Sequence, residues 1–160
     1  MLITNVNYQS GVIMERTYIS DIGKNLDKPI LIQGFVENFC DRKAMAFIVL
    51  KDITGKVQIT VEKEKHPDLG QALSEITLDS VISVVGTAVA SEYVKMGGIE
   101  VFPDSITVES IADALPIARE DIPASKGKAA VEKSAIESRM DYRWIDLRTE
   151  KNQLIFKVQT

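Results

Sequence analysis

The sequence predicts an all-β domain with one helix, because strand-like runs follow one another along the middle of the chain. Five such runs, rich in β-branched residues, are separated by turn signals, and one helical pattern interrupts them. Gly34 and Gly86 lie inside two of the runs, where glycine permits a sharp bend. Closing a bent sheet on itself removes its exposed edges. We therefore predict a five-stranded Greek-key barrel of the OB type, followed by a linker, a hinge and a partial helix.

The first three predicted strands span residues 30–39, 44–51 and 56–61. The second and third form a β-hairpin, because they flank the turn residues Asp52 to Gly55. Period-two alternation then places five apolar side chains on the core face: Ile48, Leu50, Val57, Ile59 and Val61. The opposite face carries Phe47, Val49, Lys51, Lys56, Gln58 and Thr60. An aromatic ring among amide, hydroxyl and ammonium groups indicates a ligand-binding face.

A short helix and two further strands complete the predicted barrel. The helix begins near Pro67, and Leu69, Leu73 and Ile76 share one face at helical spacing. The fourth strand spans residues 81–89, and a glycine turn at 97–98 leads into the fifth, at 99–102 and 105–109. Pro103 interrupts this last strand and predicts an edge or a bulge. Ahead of the barrel, residues 17–25 predict a short strand or turn across the core.

The chain outside residues 14–112 has a different character. Residues 1–13 show no clear period and are interpreted as a leader. Prolines and small residues in 113–148 predict a linker and hinge, with helical character at 129–140. Residues 149–160 begin an amphipathic helix, and an isolated helix of this length is marginal in water. We therefore expect the sequence to be the front of a longer protein.

The charge balance excludes one class of binding protein. Nineteen basic residues against 23 acidic ones give a formal net charge of −4. A protein that coats nucleic acid without sequence preference is usually basic, because its affinity comes from neutralising phosphates. Any nucleic-acid contact of this chain is therefore expected to be local and to read bases.

The cysteine and histidine content limits the kinds of disulfide, metal site and nucleophile that the chain can have. A single cysteine, Cys40, excludes an internal disulfide and a cysteine-rich zinc site, and it favours a reducing compartment. His66 is interpreted as a helix-start residue and Cys40 as a plain thiol, so we predict no metal site and no nucleophile. No apolar run approaches the ~20 residues of a membrane span. We expect a soluble, cytoplasmic protein with no membrane partner and no cofactor of its own.

Five segments of the chain occur in the order seen at the N-terminus of one enzyme family. They are residues 34–36, 47–52, 55–60, 98–101 and 142–148. In this order they resemble the anticodon-binding region of class IIb aminoacyl-tRNA synthetases, over residues 14–160. The ending Asp146-Leu147-Arg148, followed by residues 151–156, most resembles the archaeal and eukaryotic-like aspartyl members.

The resemblance implies roles for individual side chains. In this family the barrel binds the anticodon loop, so Phe47 is expected to stack on the central anticodon base and Gln58 to hydrogen-bond beside it. Glu100 is expected to read the first anticodon base, a guanine or its modified form. A ring suits stacking, an amide matches uracil's mixed edge, and a carboxylate accepts from the N1 and N2 hydrogens of guanine. Relatives often carry arginine near Cys40, and here Arg42 and Lys43 are expected to supply that cation.

The resemblance implies no catalytic residue within this sequence. ATP and Mg²⁺ would act in a class II catalytic domain that is expected to begin about where the sequence ends, so this chain alone should be inactive. Arg139, Arg143 and Arg148 are expected to pair with acidic neighbours at the hinge, close to the tRNA. The parent enzyme is expected to be a homodimer and this chain a monomer.

Two alternatives to an aspartate–tRNA ligase stay open on the sequence. One is the equivalent domain of an asparaginyl or lysyl enzyme, and the other is a free-standing OB module that binds single-stranded nucleic acid without catalysis. The sequence also leaves open whether tRNA-Asn is accepted beside tRNA-Asp, because the third anticodon base would be read near Cys40 and Lys43.

Overall fold

The computed structural model describes residues 6–7, 13–94, 97–117 and 135–159. The chain divides into two compact units, Met1–Asp113 and Ala114–Thr160. In the first unit, the short strands β1 (Val6–Asn7) and β2 (Ile13–Met14) pair antiparallel, with β1 in the region predicted to be a leader. Five longer strands follow: β3 (Pro29–Asp41), β4 (Met45–Lys51), β5 (Lys56–Glu62), β6 (Val81–Ala90) and β7 (Ile99–Ser110).

The five longer strands confirm the predicted barrel. They close in the order β3-β4-β5-β7-β6, and β6 pairs back onto β3. β5 and β7 run parallel through two residue pairs, Gln58 with Glu100 and Ile59 with Val101. β7 is continuous, and the interruption predicted at Pro103 takes the form of a register shift where this residue pairs with Gly86.

The β4–β5 hairpin has the register that its turn predicts. Leu50 pairs with Val57, and Ile48 pairs with Ile59. The five apolar side chains predicted for the core face are all buried within the barrel core. Burying each such side chain contributes about 1.5 to 3 kcal/mol, which makes a one-residue slip of this hairpin costly.

Two helical segments complete the core of the first unit. Pro67–Leu69 form a 3-10 turn that continues into α1 (Gly70–Glu75), and Leu69, Leu73 and Ile76 are buried as predicted. The short strand or turn predicted at residues 17–25 is instead a 3-10 helix, Ile19–Lys24, whose Ile22 is buried in the core. The stabilising partners of this helix come from the hairpin turn, so the local sequence could not reveal them.

The described residues of the second unit form three helices: α2 (Ile136–Asp141), α3 (Arg143–Asp146) and α4 (Glu150–Gln159). The helix predicted at residues 129–140 falls partly outside the described residues, and α2 begins at Ile136. On α4, Leu154, Ile155 and Val158 form the predicted apolar side and are exposed. No helix among the described residues is long and apolar enough to span a membrane.

Asp52 holds the hairpin turn and the 3-10 helix together. One carboxylate oxygen accepts hydrogen bonds from the Thr54 N–H and hydroxyl at 2.6 Å and from the Gly55 N–H at 2.9 Å. The other accepts from the Ile19 N–H at 2.9 Å. Partial burial by itself would raise the pKa of Asp52, but these hydrogen bonds to the charged form outweigh it and hold the pKa below its ordinary value of 3.8.

We predict that Asp52→Asn lowers the free energy of unfolding by about 1 kcal/mol at pH 7, because the amide replaces charge-assisted hydrogen bonds with weaker ones. A depressed folded-state pKa contributes stability above the unfolded-state pKa and loses it as the pH falls through the folded-state value. The difference between the two proteins should therefore shrink below about pH 3.8. Urea unfolding from pH 7 to pH 2.5 measures it, and a difference independent of pH would contradict the assignment.

Gly86 and Gly34 allow close approach between neighbouring strands. A Cβ atom on Gly86 would lie 2.2 Å from the carbonyl oxygen of Phe102, and one on Gly34 would lie 2.4 Å from that of Lys51. Both neighbours are backbone atoms, which cannot rotate away. The two glycines predicted as bends are therefore required by contact across the sheet.

We predict that Gly86→Ala lowers the free energy of unfolding by about 2 kcal/mol or more, because strands β6 and β7 must separate to admit the methyl group. Gly70→Ala is the matched control, since a Cβ at Gly70 meets no atom within 4 Å and its backbone is helical. The control should be neutral or stabilising by about 0.4 to 1 kcal/mol. Equal melting temperatures for the two variants would contradict this explanation.

Candidate nucleic-acid interface

Strand pairing brings four side chains together on the outer surface of the barrel. Phe47 on β4 pairs with Thr60 on β5, and Gln58, two residues away on β5, pairs with Glu100 on β7. Residues two apart on a strand point to the same side. We call these four side chains, Phe47, Gln58, Thr60 and Glu100, the reading face.

Hydrogen bonds link three members of the reading face. The Thr60 hydroxyl donates to a carboxylate oxygen of Glu100 at 2.9 Å, and the Gln58 side-chain amide donates to the Thr60 oxygen at 3.3 Å. Thr60 is 2% exposed, whereas Gln58 and Glu100 are half-buried. The buried hydroxyl therefore lies beneath two polar groups that remain accessible to a ligand.

Phe47 supplies the apolar part of the reading face. Its ring is half-buried, although it lies on the side of β4 opposite the core. On the other side of Phe47, strand pairing places Cys40 of β3, which is exposed. A partly exposed ring beside amide and carboxylate groups is suited to stacking on a base while the polar groups contact the base edge.

Arg42 and Lys43 lie in the tight turn between β3 and β4, and both are exposed. The Arg42 N–H donates to the Met45 carbonyl at 2.9 Å, which closes this turn. Cys40 lies two residues before Arg42 at the end of β3, so the two cations flank the Phe47 end of the reading face. Both side chains are therefore accessible to a ligand at this end of the barrel.

The two lysines predicted on the ligand-binding face form ion pairs within the chain. Lys51 and Lys56 face one another beside the hairpin turn, and both bind the carboxylate of Glu37, at 3.3 and 2.8 Å. Glu37 lies at a register irregularity between Val36 and Asn38 of β3. The sequence pattern missed Glu37, because the extra residue of a bulge breaks the alternation on which the assignment of faces depends.

In the second unit, two of the three hinge arginines bind one buried carboxylate. Arg139 and Arg143 each donate to Asp146 at 2.7 Å, through opposite carboxylate oxygens, and Asp146 is 4% exposed. The predicted pairing with acidic neighbours is thus present at Asp146, while Glu137 and Asp141 are exposed. Arg148 follows on the turn after α3 and is half-buried.

Metal-binding side chains are not clustered in the described part of the chain. No group of three or more histidine, cysteine, aspartate or glutamate side chains there could hold a metal ion. The side chains of the reading face can stack on a base and hydrogen-bond to its edge.

A family model for the OB-fold nucleic acid binding domain matches residues 30–109, half of the chain. An aspartate–tRNA(Asp) ligase from Picrophilus torridus is 32% identical over 145 residues, covering 91% of this chain and 31% of that protein. An aspartate–tRNA(Asp/Asn) ligase from Methanopyrus kandleri is 34% identical over 150 residues, which cover 92% of this chain and 32% of that protein. The chain therefore spans about a third of the length of these relatives.

Solved structures of two synthetases have the same fold as this chain. An asparaginyl-tRNA synthetase from Pyrococcus horikoshii, complexed with asparaginyl-adenylate, has a TM-score of 0.74 at 25% identity and covers 91% of this chain and 32% of its own. An aspartyl-tRNA synthetase from Entamoeba histolytica has a TM-score of 0.76 at 22% identity, and the match covers 99% of this chain and 38% of that one. At this identity the second likeness supports the fold alone.

Proposed function

The chain belongs to the family of OB-fold nucleic acid binding domains, and we propose that it reads the anticodon of tRNA-Asp as the N-terminal part of an aspartate–tRNA ligase. One observation carries the proposal: a half-buried phenylalanine shares the outer face of the barrel with an amide and a carboxylate from neighbouring strands. This set offers a stacking platform together with hydrogen-bonding groups for base edges.

The charge distribution supports local reading of bases. The net charge of −4 gives little general attraction to phosphate, and Glu37 forms ion pairs with both lysines near the hairpin turn. Arg42 and Lys43 are exposed beside the Phe47 end of the reading face and would contact backbone phosphates there. Affinity would therefore come from few phosphate contacts and from bases held on the barrel.

Each base contact follows from side-chain chemistry. In the proposed complex, Phe47 stacks on the central anticodon base, Gln58 hydrogen-bonds to the edge of that base, and Glu100 accepts from a guanine at the first position. tRNA-Asn is a second candidate substrate, since the relative from Methanopyrus kandleri is named for tRNA(Asp/Asn). The third anticodon base would lie near Arg42 and Lys43, where the choice between the two tRNAs would be made.

The extent of the match to ligases favours the synthetase over a free-standing OB module. The relative from Picrophilus torridus aligns over 145 residues, which is well beyond the 80 residues of the barrel family match at 30–109. The second unit is therefore part of the likeness. In the parent enzyme, we propose that Arg139, Arg143 and Arg148 belong to the hinge near the tRNA, and that residues outside this sequence bind ATP and Mg²⁺.

We predict that this chain by itself neither exchanges pyrophosphate with ATP nor charges tRNA, because we assign the adenylate-forming residues to the parent's catalytic domain. We also propose that the chain is a monomer, since that domain would carry the main contacts of a homodimeric parent. Aspartate-dependent exchange is measured with labelled pyrophosphate, using an aspartate–tRNA ligase with its catalytic domain as positive control. Exchange above background would overturn the assignment.

We predict that Phe47→Ala weakens binding of the tRNA-Asp anticodon stem-loop by about 1 to 3 kcal/mol, the typical loss for one base–aromatic stack. Phe47 lies outside the barrel core, so the melting temperature should change little. Phe35→Ala is the matched control, since Phe35 lies on β3 and is 44% exposed, nearer the Lys51 end of the hairpin. An unchanged affinity with a steep loss of thermal stability for Phe47→Ala would make Phe47 a structural residue.

We predict that Glu100→Gln acts selectively on the first anticodon base. An amide can still accept one hydrogen bond but lacks the charge and the second acceptor that suit the guanine edge. The variant should therefore lose more affinity for a stem-loop with guanine first than for one with adenine first. Titrations of both loops against wild-type and variant protein measure this difference, and equal losses for the two loops would refute the role of Glu100.

A further inference from the structure

The buried hydroxyl of Thr60 determines which atoms of the reading face remain available. A hydroxyl has one hydrogen to donate, whereas an ionised carboxylate only accepts. Since the Thr60 oxygen lies 2.9 Å from a Glu100 carboxylate oxygen, its hydrogen is used in that contact. The hydroxyl can then only accept from Gln58, at 3.3 Å.

This order of donation determines the orientation of the Gln58 side-chain amide. The NH₂ group must face Thr60, so the carbonyl oxygen of the amide lies on the side away from the hydroxyl. The hydrogen bonds around an amide determine which of its ends faces a neighbour, and here the bond from Thr60 to Glu100 leaves the Thr60 oxygen only as an acceptor for the amide. Without the Thr60 hydroxyl, either face of the Gln58 amide could be presented.

The same hydroxyl orients Glu100. One carboxylate oxygen is held by Thr60, which leaves the other oxygen to accept from a ligand. Gln58 and Glu100 pair directly across β5 and β7, so their two acceptors belong to neighbouring positions of the reading face. Such a pair suits successive bases that present N–H donors, such as guanine and uracil, and disfavours adenine and cytosine, whose ring nitrogens would meet an acceptor.

We propose that Thr60 is a positioning residue for base selection: its hydroxyl sets the Gln58 amide and the Glu100 carboxylate as paired acceptors for bases with N–H donor edges. This inference rests on the proposed function for the identity of the ligand, but its structural part can be tested without RNA. Thr60 itself is 2% exposed and acts through its two neighbours.

The binding test compares Thr60→Val, Thr60→Ser and Thr87→Val in the full 160-residue chain. Valine keeps the shape and removes the hydroxyl, serine keeps the hydroxyl, and Thr87 is a half-buried threonine on β6 outside the reading face. The probes are anticodon stem-loops that carry guanine or adenine first and uracil or cytosine in the centre. Thermal melting of each variant reports its folding.

Thr60→Val should bind the guanine–uracil loop about tenfold more weakly, a loss of ~1.4 kcal/mol, and bind the mismatched loops nearly as before. Its discrimination between loops should fall by the same factor, whereas Thr60→Ser and Thr87→Val should retain wild-type discrimination. A folded Thr60→Val protein with unchanged discrimination would overturn the inference. A uniform loss for every loop would also overturn it, because that is the result expected of a purely structural residue.

A second measurement uses the wild-type protein and so does not depend on the folding of a variant. Nuclear Overhauser contacts between the Gln58 side-chain NH₂ and the Thr60 methyl group should be strong in the free protein. If they are missing, the Gln58 amide has the opposite orientation and the inference fails. If wild-type protein shows these contacts but binds no anticodon loop, the proposed function fails while the arrangement set by Thr60 stands.

Discussion

Closure of the barrel between β5 and β7 is the constraint on which the candidate site depends. These strands are separated in the chain by α1 and β6, and they meet in parallel through Gln58 with Glu100 and Ile59 with Val101. The Ile59–Val101 pair lies in the core, so burial of apolar surface drives the contact. The same register places the polar pair on the outer surface, where Thr60 joins the two side chains. Core packing and site assembly are thus consequences of one strand pairing.

A second constraint acts at the opposite end of the hairpin. Asp52 fixes the turn and also accepts the N–H of Ile19, which ties the segment before the barrel to the hairpin. Next to this turn, Glu37 binds Lys51 and Lys56. The outer face of the hairpin therefore has an ionic end, which stabilises the fold, and a reading end around Phe47. This division agrees with the proposal that an acidic chain makes few phosphate contacts and reads bases locally.

In the second unit, too, a single aspartate connects separate elements of the structure. Asp146 is buried, accepts from Arg139 and Arg143 with its side chain, and accepts from Asn152 at 2.8 Å with its backbone carbonyl. Asp146 thus joins three helices: its carboxylate binds α2 and α3, and its backbone carbonyl binds α4. A buried carboxylate with two guanidinium partners is strongly destabilised when a partner is lost, so this cluster supports the geometry of the helices. Its arginines are used by the fold of the second unit, which favours a structural over a direct tRNA-binding role for Arg139 and Arg143.

The local chemistry of the sequence was enough to determine the five barrel strands, the register of the hairpin and the core face of the hairpin. The turn at Asp52 to Gly55 fixes which residues face one another, and period-two alternation then separates Ile48 and Leu50 from Phe47. The tertiary structure decided everything that depends on partners distant in the chain. Thr60 acquires its role from Glu100, 40 residues away, Glu37 reaches the lysines through a bulge, and the 3-10 helix at Ile19–Lys24 is held by the hairpin turn. Alternation assigns a residue to a face, but it carries no information about which strand will lie beside that face or where a bulge will change the count.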